Sequence, residues 1–275
     1  MRGQTRAPGH DALMNTPKAA GHVLLAATVI ALSTPAPAWA KPQHGRRVLD
    51  RPLTYRLYAT REGLVGGTTS SGHRITERDH FVALPSTKTV SVKGRGTFTV
   101  RVCRTDGTRC EYAPVWDVGP WNEHDDYWNP ADRRATFGSL PQGVPEAQAA
   151  YQDGFNGGKD ERGRTVRNPA GLDLADGTFW DGLGLNGNSY VDVTFLWTGS
   201  APATGVVTGG APLVVRTSAS NDAPPAGLAA DAAQVPIECS VRGDSVDGTT
   251  RWNRIGPGHY VSGAHLRADA AVPAC

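Results

Sequence analysis

After residue 50, short runs of β-prone residues alternate with clusters of turn residues. Val, Leu, Thr and aromatic residues dominate the runs, whereas Gly, Pro, Asp and Asn separate them. Runs of this length and spacing predict the strands of a small barrel or sandwich. The predicted strands are Leu53–Ala59, His80–Leu84, Thr89–Val92, Thr97–Cys103, Tyr112–Val118 and Tyr190–Trp197.

Two segments depart from this pattern. Residues 144–153 predict a helix, because Pro145 suits a first turn and three alanines follow within five positions. Residues 198–211 are rich in Gly, Ala, Thr, Ser and Pro, a composition typical of a linker. We therefore expect one domain over residues 53–197 and a second over residues 212–275.

The amino terminus has the pattern of a secretory signal peptide. Lys18 precedes the apolar run 23–32, and small residues stand at Ala38 and Ala40. The run is short for a membrane span of about 20 residues, although a retained anchor is the alternative. We expect cleavage after Ala40, an N-terminal extension over residues 41–52, no membrane span in the mature protein and an extracellular location. Met14 is an alternative start.

The composition narrows the function classes. The 275 residues include 28 Lys and Arg against 26 Asp and Glu, for a formal charge of +2, which gives no electrostatic reason to expect nucleic acid as a partner. The 33 glycines and 20 prolines favour a turn-rich, all-β chain. A monomer is expected.

Four cysteines in an exported chain favour disulfides over thiol chemistry. Cys103 and Cys110 flank an Asp-Gly turn, so they could face each other across a hairpin. That pairing leaves Cys239 with Cys275. Zinc is disfavoured because no Cys-x-x-Cys occurs, and neither a metal nor another cofactor is expected.

Two aspartates are candidate catalytic residues. Asp117 and Asp173 each follow an apolar run, at 114–116 and 170–172, and desolvation there would raise a carboxyl pKa towards that of a usable general acid. Asp173 is the candidate acid, and Asp117 would orient the sugar or hold the site. The alternative is that both carboxylates bond backbone amides at strand ends.

Aromatic residues are dense near these aspartates, and sugar rings have apolar faces that stack on such side chains. Most of these rings are expected in the core, and two are assigned to a glycan groove, Trp121 and Trp180. The nearby run 123–126, Glu-His-Asp-Asp, could offer oxygen ligands but lacks the spacing of a calcium loop. We expect it to be a solvated loop.

Several stretches over residues 53–197 resemble the double-psi β-barrel family of rare lipoprotein A, expansins and barrel endoglucanases. The resemblance implies a six-stranded barrel carrying an inserted loop and helix region between Asp117 and Asp173. The matching stretches are Tyr58-Ala59-Thr60 with Gly66-Gly67-Thr68-Thr69-Ser70-Ser71-Gly72, Phe81-Val82-Ala83-Leu84-Pro85, Val115-Trp116-Asp117-Val118-Gly119-Pro120-Trp121 and Gly171-Leu172-Asp173-Leu174-Ala175.

The chain departs from rare lipoprotein A at two polar positions. His73 stands where that family carries Glu, and Phe81 stands where it carries His, with His80 one place away. Asp117 matches the family's aspartate. His73 and His80 are therefore candidate substrate-binding residues.

Residues 212–275 resemble a bacterial SH3 domain, a small β-barrel. Leu213–Ser220 looks like the opening strand and turn of that family, and 239–243, 252–255 and 258–262 fall in the order of its later strands. In secreted bacterial proteins the family implies attachment to the cell wall.

Two functions follow from these expectations. The first is a secreted protein of the expansin or rare lipoprotein A type that binds a cell-wall glycan, with peptidoglycan as the expected partner. The alternative is a lytic transglycosylase or glycoside hydrolase in which Asp173 is the general acid.

Overall fold

The structure, a computed structural model, describes residues 50–275, which belong to one compact unit. The predicted signal peptide, the alternative start at Met14 and most of the N-terminal extension lie outside the described residues. Within the described part, no helix is long and apolar enough to cross a membrane.

The described chain is mostly β structure. One α-helix, α1, spans Glu146–Asp153, and short helical turns lie at Thr87–Thr89, Phe155–Gly158, Thr178–Gly182, Leu196–Thr198 and Gly263–His265. The strands are β1 (Leu53–Arg61), β2 (Val82–Leu84), β3 (Thr99–Arg104), β4 (Cys110–Val118), β5 (Ala170–Leu174), β6 (Ser189–Phe195), β7 (Ala203–Val207), β8 (Leu213–Arg216), β9 (Pro225–Ala229), β10 (Gln234–Ile237), β11 (Cys239–Val246), β12 (Thr249–Gly256), β13 (His259–Ser262) and β14 (Leu266–Ala268).

The first six strands close into a barrel in the order β1-β6-β3-β4-β2-β5, with β5 returning to β1. The β1–β5 and β2–β4 pairs are parallel and the other four are antiparallel. This confirms the predicted six-stranded barrel and fits a double-psi arrangement. Because β2 and β5 are antiparallel, β1 and β4 run in opposite directions.

Alternation along the strands explains which faces are buried. In β1, Leu57 and Ala59 are fully buried in the barrel core, whereas Arg56, which precedes Leu57, points outward to Asp192. β4 is buried on both faces. Its Ala113 and Val115 enter the barrel core, while Tyr112 belongs to a second core formed with strands that follow the barrel.

The strands after the barrel form a small β region. β11-β12-β13-β8-β9 continue from the barrel through a parallel β9–β4 pairing, and β10-β7-β14 form a separate three-stranded sheet. Residues 198–211, predicted as a linker, contain β7, in which Ala203, Gly205 and Val207 point inward. Small residues make this strand look like a linker by composition.

Local predictions hold in part. The helix predicted over 144–153 is confirmed and begins at Glu146, with Gly154 ending it in the left-handed conformation at φ +69°. The strand predicted at Thr89–Val92 is wrong. Ser86 caps a short helical turn there, and the Ser91 hydroxyl accepts the Phe98 N–H, so no ladder forms.

Both predicted disulfides are confirmed, Cys103–Cys110 and Cys239–Cys275. The first joins the directly paired ends of β3 and β4, and the second ties the last described residue to the start of β11.

Removing the second disulfide should cost more stability than removing the first. Their partners are 36 and 7 positions apart, and loop-closure entropy gives about 4 kcal/mol for the longer loop against about 2 kcal/mol for the shorter. Urea unfolding of the two double Cys→Ala variants measures the difference. Equal losses, or a greater loss from the shorter loop, would contradict the expectation.

Candidate active site

The strand register brings Asp117 and Asp173 to one place. Ala83 of β2 pairs with Asp117 of β4 on one side and with Asp173 of β5 on the other. On β1, Thr60 pairs with Asp173, so these four residues form a row across four strands. Adjacent strands lie about 4.8 Å apart, which puts the two aspartate backbones roughly 10 Å apart.

Asp173 lies in a poorly solvated environment. The Thr60 hydroxyl donates to its Oδ1, and a Cβ added to Gly119 would lie 3.8 Å from its Oδ2, an ordinary van der Waals contact. Burial raises the pKa of Asp173 to about 6, and the charge of Asp117 adds to this, whereas the Thr60 hydrogen bond opposes it.

Asp117 is held by the loop that follows β1. Its Oδ1 accepts the Ser70 N–H at 2.8 Å, the Ser70 hydroxyl at 2.7 Å and the Val118 N–H at 2.8 Å. The alternative expectation, carboxylates that bond backbone amides, therefore describes Asp117. Asp173 accepts a side-chain hydroxyl instead.

A third carboxyl group, Glu62, completes the cluster and was not predicted. Its backbone N–H donates to Leu174 O at 2.9 Å, which fixes it just beyond the end of β1. Both carboxyl oxygens are shielded from solvent and accept no hydrogen bond from the described residues. Burial, followed by the charge of Asp117, the hydrogen bond that the protonated Glu62 shares with Asp117 and the charges of Asp173 and Asp176, raises the pKa of Glu62 to about 9.

We refer to Glu62, Asp117 and Asp173 as the carboxyl cluster. Although β1 and β4 run in opposite directions, the register brings the C-terminal part of each strand to the cluster. At neutral pH Glu62 holds its proton, and Asp173, with a pKa of about 6, gains or loses its proton within about one pH unit of neutrality. The arrangement can therefore supply a proton and accept hydrogen bonds within the same site. Among residues 50–275, no group of three or more His, Cys, Asp or Glu is arranged to hold a metal ion.

The two candidate histidines each pair with an acid other than Asp117 or Asp173. His73 Nε2 lies 2.7 Å from Asp79 Oδ2, and its ring packs 4.9 Å from that of Trp116. His73 thus borders the cluster through the residue next to Asp117.

His80 Nδ1 lies 2.9 Å from Oε1 of the fully buried Glu111. Burial raises the pKa of Glu111. Desolvation opposes protonation of His80, but the hydrogen bond to Glu111 and the charges of Glu111, Asp181 and Asp79 together outweigh it and raise the pKa of His80. This pair is at the start of β4, whereas Asp117 is near its end.

The two tryptophans assigned to a groove differ in their surroundings. Trp121 is partly buried against Ala147, Ala150 and Val166, and its indole N–H donates to Asn168 at 3.1 Å. These contacts make Trp121 part of the packing around α1 and leave less of its ring available to a ligand.

Trp180 is 38% exposed, but the guanidinium groups of Arg61 and Arg78 lie over its ring at 4.9 and 4.8 Å. Arg61 follows Thr60 and forms an ion pair with Asp176, which places Trp180 near the carboxyl cluster. A sugar ring that stacks on Trp180 must share its surface with these two cations.

The run 123–126 is not the solvated loop that its charges suggest. Asp125 and Asp126 are buried, Asp125 pairs with the buried Arg134, and its Oδ2 accepts the Glu146 N–H at 2.6 Å. Burial raises the pKa of Asp125 to about 6. The run therefore anchors the insertion and the start of α1.

Comparison with known families assigns the barrel to one family. A family model described as "Domain of unknown function (DUF8814)" matches residues 53–194, just over half of the chain. The chain belongs to the DUF8814 family. The matched residues include the carboxyl cluster and the barrel strands except the last residue of β6, so the candidate site lies within the DUF8814 domain.

No curated protein matches the chain. Among solved structures, the chain is similar to a mutant expansin of Clavibacter michiganensis in complex with cellohexaose. The identity is 12%, the TM-score is 0.27, and the match covers 77% of this chain and 96% of that one. At this TM-score the similarity carries no argument, so the fold rests on the strand order alone.

Replacing Glu62 should reveal its protonation through stability. An unfolded Glu titrates near pH 4.3, so between there and about pH 9 the folded state binds the extra proton and its stability falls as pH rises. Glu62→Gln removes this loss. The free energy of unfolding of Glu62→Gln minus that of wild type should therefore increase by on the order of 1 kcal/mol per pH unit across this window. Urea unfolding of both proteins at pH 5 and pH 8.5 measures this difference.

The exposed Glu77→Gln is the matched control and should show no such trend. A difference between Glu62→Gln and wild type that stays constant from pH 5 to pH 8.5 would mean that Glu62 is an ordinary ionised carboxylate.

Proposed function

We propose that this DUF8814 protein is a secreted protein that binds a cell-wall polysaccharide, with peptidoglycan as its principal ligand. The observation that carries the proposal is the carboxyl cluster, in which acceptors and a protonated group converge at the ends of β1 and β4. A sugar chain presents hydroxyl groups that both donate and accept hydrogen bonds, and this mixed set of carboxyl groups matches that requirement.

The surroundings of the cluster support a sugar ligand. Trp116 adjoins Asp117 and is half-buried beside His73, and Trp180 is partly exposed near Glu62. Aromatic faces of this kind contact the apolar faces of sugar rings, while carboxyl groups bind the hydroxyls at their edges. In this proposal His73 contributes to the ligand surface, and Trp180 does so beside its two arginines.

The remainder of the chain supports a location outside the cytoplasm. Two disulfides persist in oxidising compartments, and the amino-terminal sequence resembles a signal peptide. The β region after the barrel, which resembles an SH3-like domain in sequence, would attach the protein to the wall. The protein acts as a monomer in this proposal.

A second function, cleavage of the bound glycan, is favoured by the raised pKa of Asp173. Near pH 6 about half of the Asp173 carboxyls carry a proton that could pass to the leaving glycosidic oxygen. In hydrolysis by inversion, Asp117 would take a proton from the attacking water, and the carboxyl groups of such a pair lie about 6.5–9.5 Å apart. In a transglycosylase the sugar's own hydroxyl would attack instead.

Binding is tested by co-sedimentation of the mature protein with insoluble peptidoglycan and with cellulose. Asp117→Asn should reduce retention at least tenfold, because the amide cannot accept both the Ser70 hydrogen bonds and those from the sugar. Asp192→Asn, on the outer face of β6, is the matched control and should bind like wild type. Equal retention of all three proteins would refute a glycan site at the carboxyl cluster.

Cleavage is tested by the release of reducing or anhydro-sugar fragments from the same materials. Asp173→Asn keeps the shape of the side chain but has no acidic proton, so turnover should fall by about 10²–10⁴ while binding persists. Release at the wild-type rate by Asp173→Asn would eliminate Asp173 as the acid. Retention without any fragments from wild type would leave binding as the function.

A further inference from the structure

A large cleft lies between the barrel and the β region that follows it. It encloses about 870 Å³, within the range of ligand sites, which occur preferentially where two structural units meet. Strands β1, β3 and β6 form one wall with their outward side chains, and β10 and β12 contribute to the other. The carboxyl cluster does not line this cleft.

Arg101 enters the cleft from the barrel side. Its neighbours on β3, Val100 and Val102, are fully buried in the barrel core, so alternation points Arg101 outward. Its Nη2 donates to Thr194 Oγ1 at 3.2 Å, and its Nε is shielded from solvent without a partner. Within residues 50–275, no carboxylate oxygen lies within 4 Å of this guanidinium.

The neighbouring groups leave the charge of Arg101 uncompensated. Arg254, which also lines the cleft, is neutralised by Glu238 at 2.7 Å. His259 hydrogen-bonds to Tyr112, and burial together with Arg101 lowers the pKa of His259 to about 4, so it is neutral at physiological pH. A partly buried guanidinium whose Nε–H has no acceptor is costly unless an anion completes it.

The backbone of β12 is fitted closely around Arg101. A Cβ added to Gly256 would lie 3.3 Å from Arg101 Nη1 and 3.0 Å from the Tyr112 hydroxyl. Because residue 256 is glycine, no side chain from β12 obstructs the N–H donors of the Arg101 guanidinium. Two parallel N–H donors of a guanidinium suit the two oxygens of a carboxylate.

The remaining lining is suited to a sugar. Trp197 offers part of an indole surface, and its ring is fixed by an edge contact with Phe98 at 5.3 Å and another with Trp128 at 5.7 Å. Hydroxyl groups of Thr54 and Thr194 lie in the same wall. An aromatic surface, hydroxyls and the unpaired guanidinium of Arg101 together match a saccharide that carries a carboxylate.

We propose that this cleft binds an acidic saccharide, with its carboxylate on the Arg101 guanidinium and a sugar ring against Trp197. The site is separate from the carboxyl cluster and would give the protein a second contact with an acidic glycan. Binding here does not depend on whether the carboxyl cluster binds or cleaves a polysaccharide.

The test is a titration of the ¹⁵N-labelled mature protein, followed by NMR, with three probes. N-acetylmuramic acid carries a carboxylate on a sugar, N-acetylglucosamine is its neutral counterpart, and acetyl-D-Ala-D-Ala carries a carboxylate without a sugar. We expect N-acetylmuramic acid to shift the signals of the Gly256 amide and the Trp197 indole. The dissociation constant from these shifts should be at least tenfold lower than that of either other probe. Equal binding of the neutral sugar or of the peptide would overturn the proposal.

Two substitutions of Arg101 test the role of the guanidinium. Arg101→Gln should weaken the binding of N-acetylmuramic acid at least tenfold. Arg101→Lys keeps the charge but loses the two parallel N–H donors of the guanidinium, so it should retain part of the affinity. Arg56→Gln, on the outward face of β1 and paired with Asp192, is the matched control. Unchanged affinity in Arg101→Gln would refute the site. If that variant does not fold, full wild-type affinity in Arg101→Lys would refute the bidentate contact.

Discussion

The burial of two carboxyl groups beside a third is the constraint on which the candidate site depends. Glu62 and Asp173 are drawn out of water next to Asp117, and the mutual repulsion of the three groups, if all were ionised, would disperse them in a flexible chain. The closed barrel prevents this, since β1, β5, β2 and β4 are joined side by side by continuous pairing. Hydrogen bonds from Thr60 and Ser70 offset part of the cost, and protonation of Glu62 offsets another part.

β4 connects this site to the rest of the molecule. Its inward residues complete the barrel core, Tyr112 on its outward face completes the second core, and Asp117 stands near its end. The same outward surface, continued onto β3, carries Arg101 into the cleft. One sheet therefore presents carboxyl groups on one part of its surface and an unpaired cation on another. In the two proposals above, the first part binds sugar hydroxyls and the second binds a sugar carboxylate.

Features set by nearby residues were predictable from local patterns, the six-stranded barrel was predictable only from the family resemblance, and the Cys239–Cys275 pair followed by elimination. Other features set by distant pairing were not predictable. The strands β1, β3, β4 and β6, helix α1 and the Cys103–Cys110 pair follow from local patterns. β5 is too short and too uniformly buried to show alternation, and the small residues of β7 look like a linker. Glu62 stands in a charged turn by sequence, and only its bond to Leu174 brings it beside Asp173. Asp125 belongs to a charged run, yet Arg134, nine residues away, lets it be buried.

The most direct test of a shared carboxyl site is a ¹³C NMR titration that follows the side-chain carboxyl carbons of Glu62, Asp117 and Asp173. The structure predicts midpoints near pH 9 for Glu62 and near pH 6 for Asp173. Both midpoints should move down when Asp117 is replaced by Asn, because one neighbouring negative charge is removed. Midpoints near 4 for Glu62 and Asp173, unchanged in Asp117→Asn, would show that the three groups are separate and solvated, which would contradict the shared site.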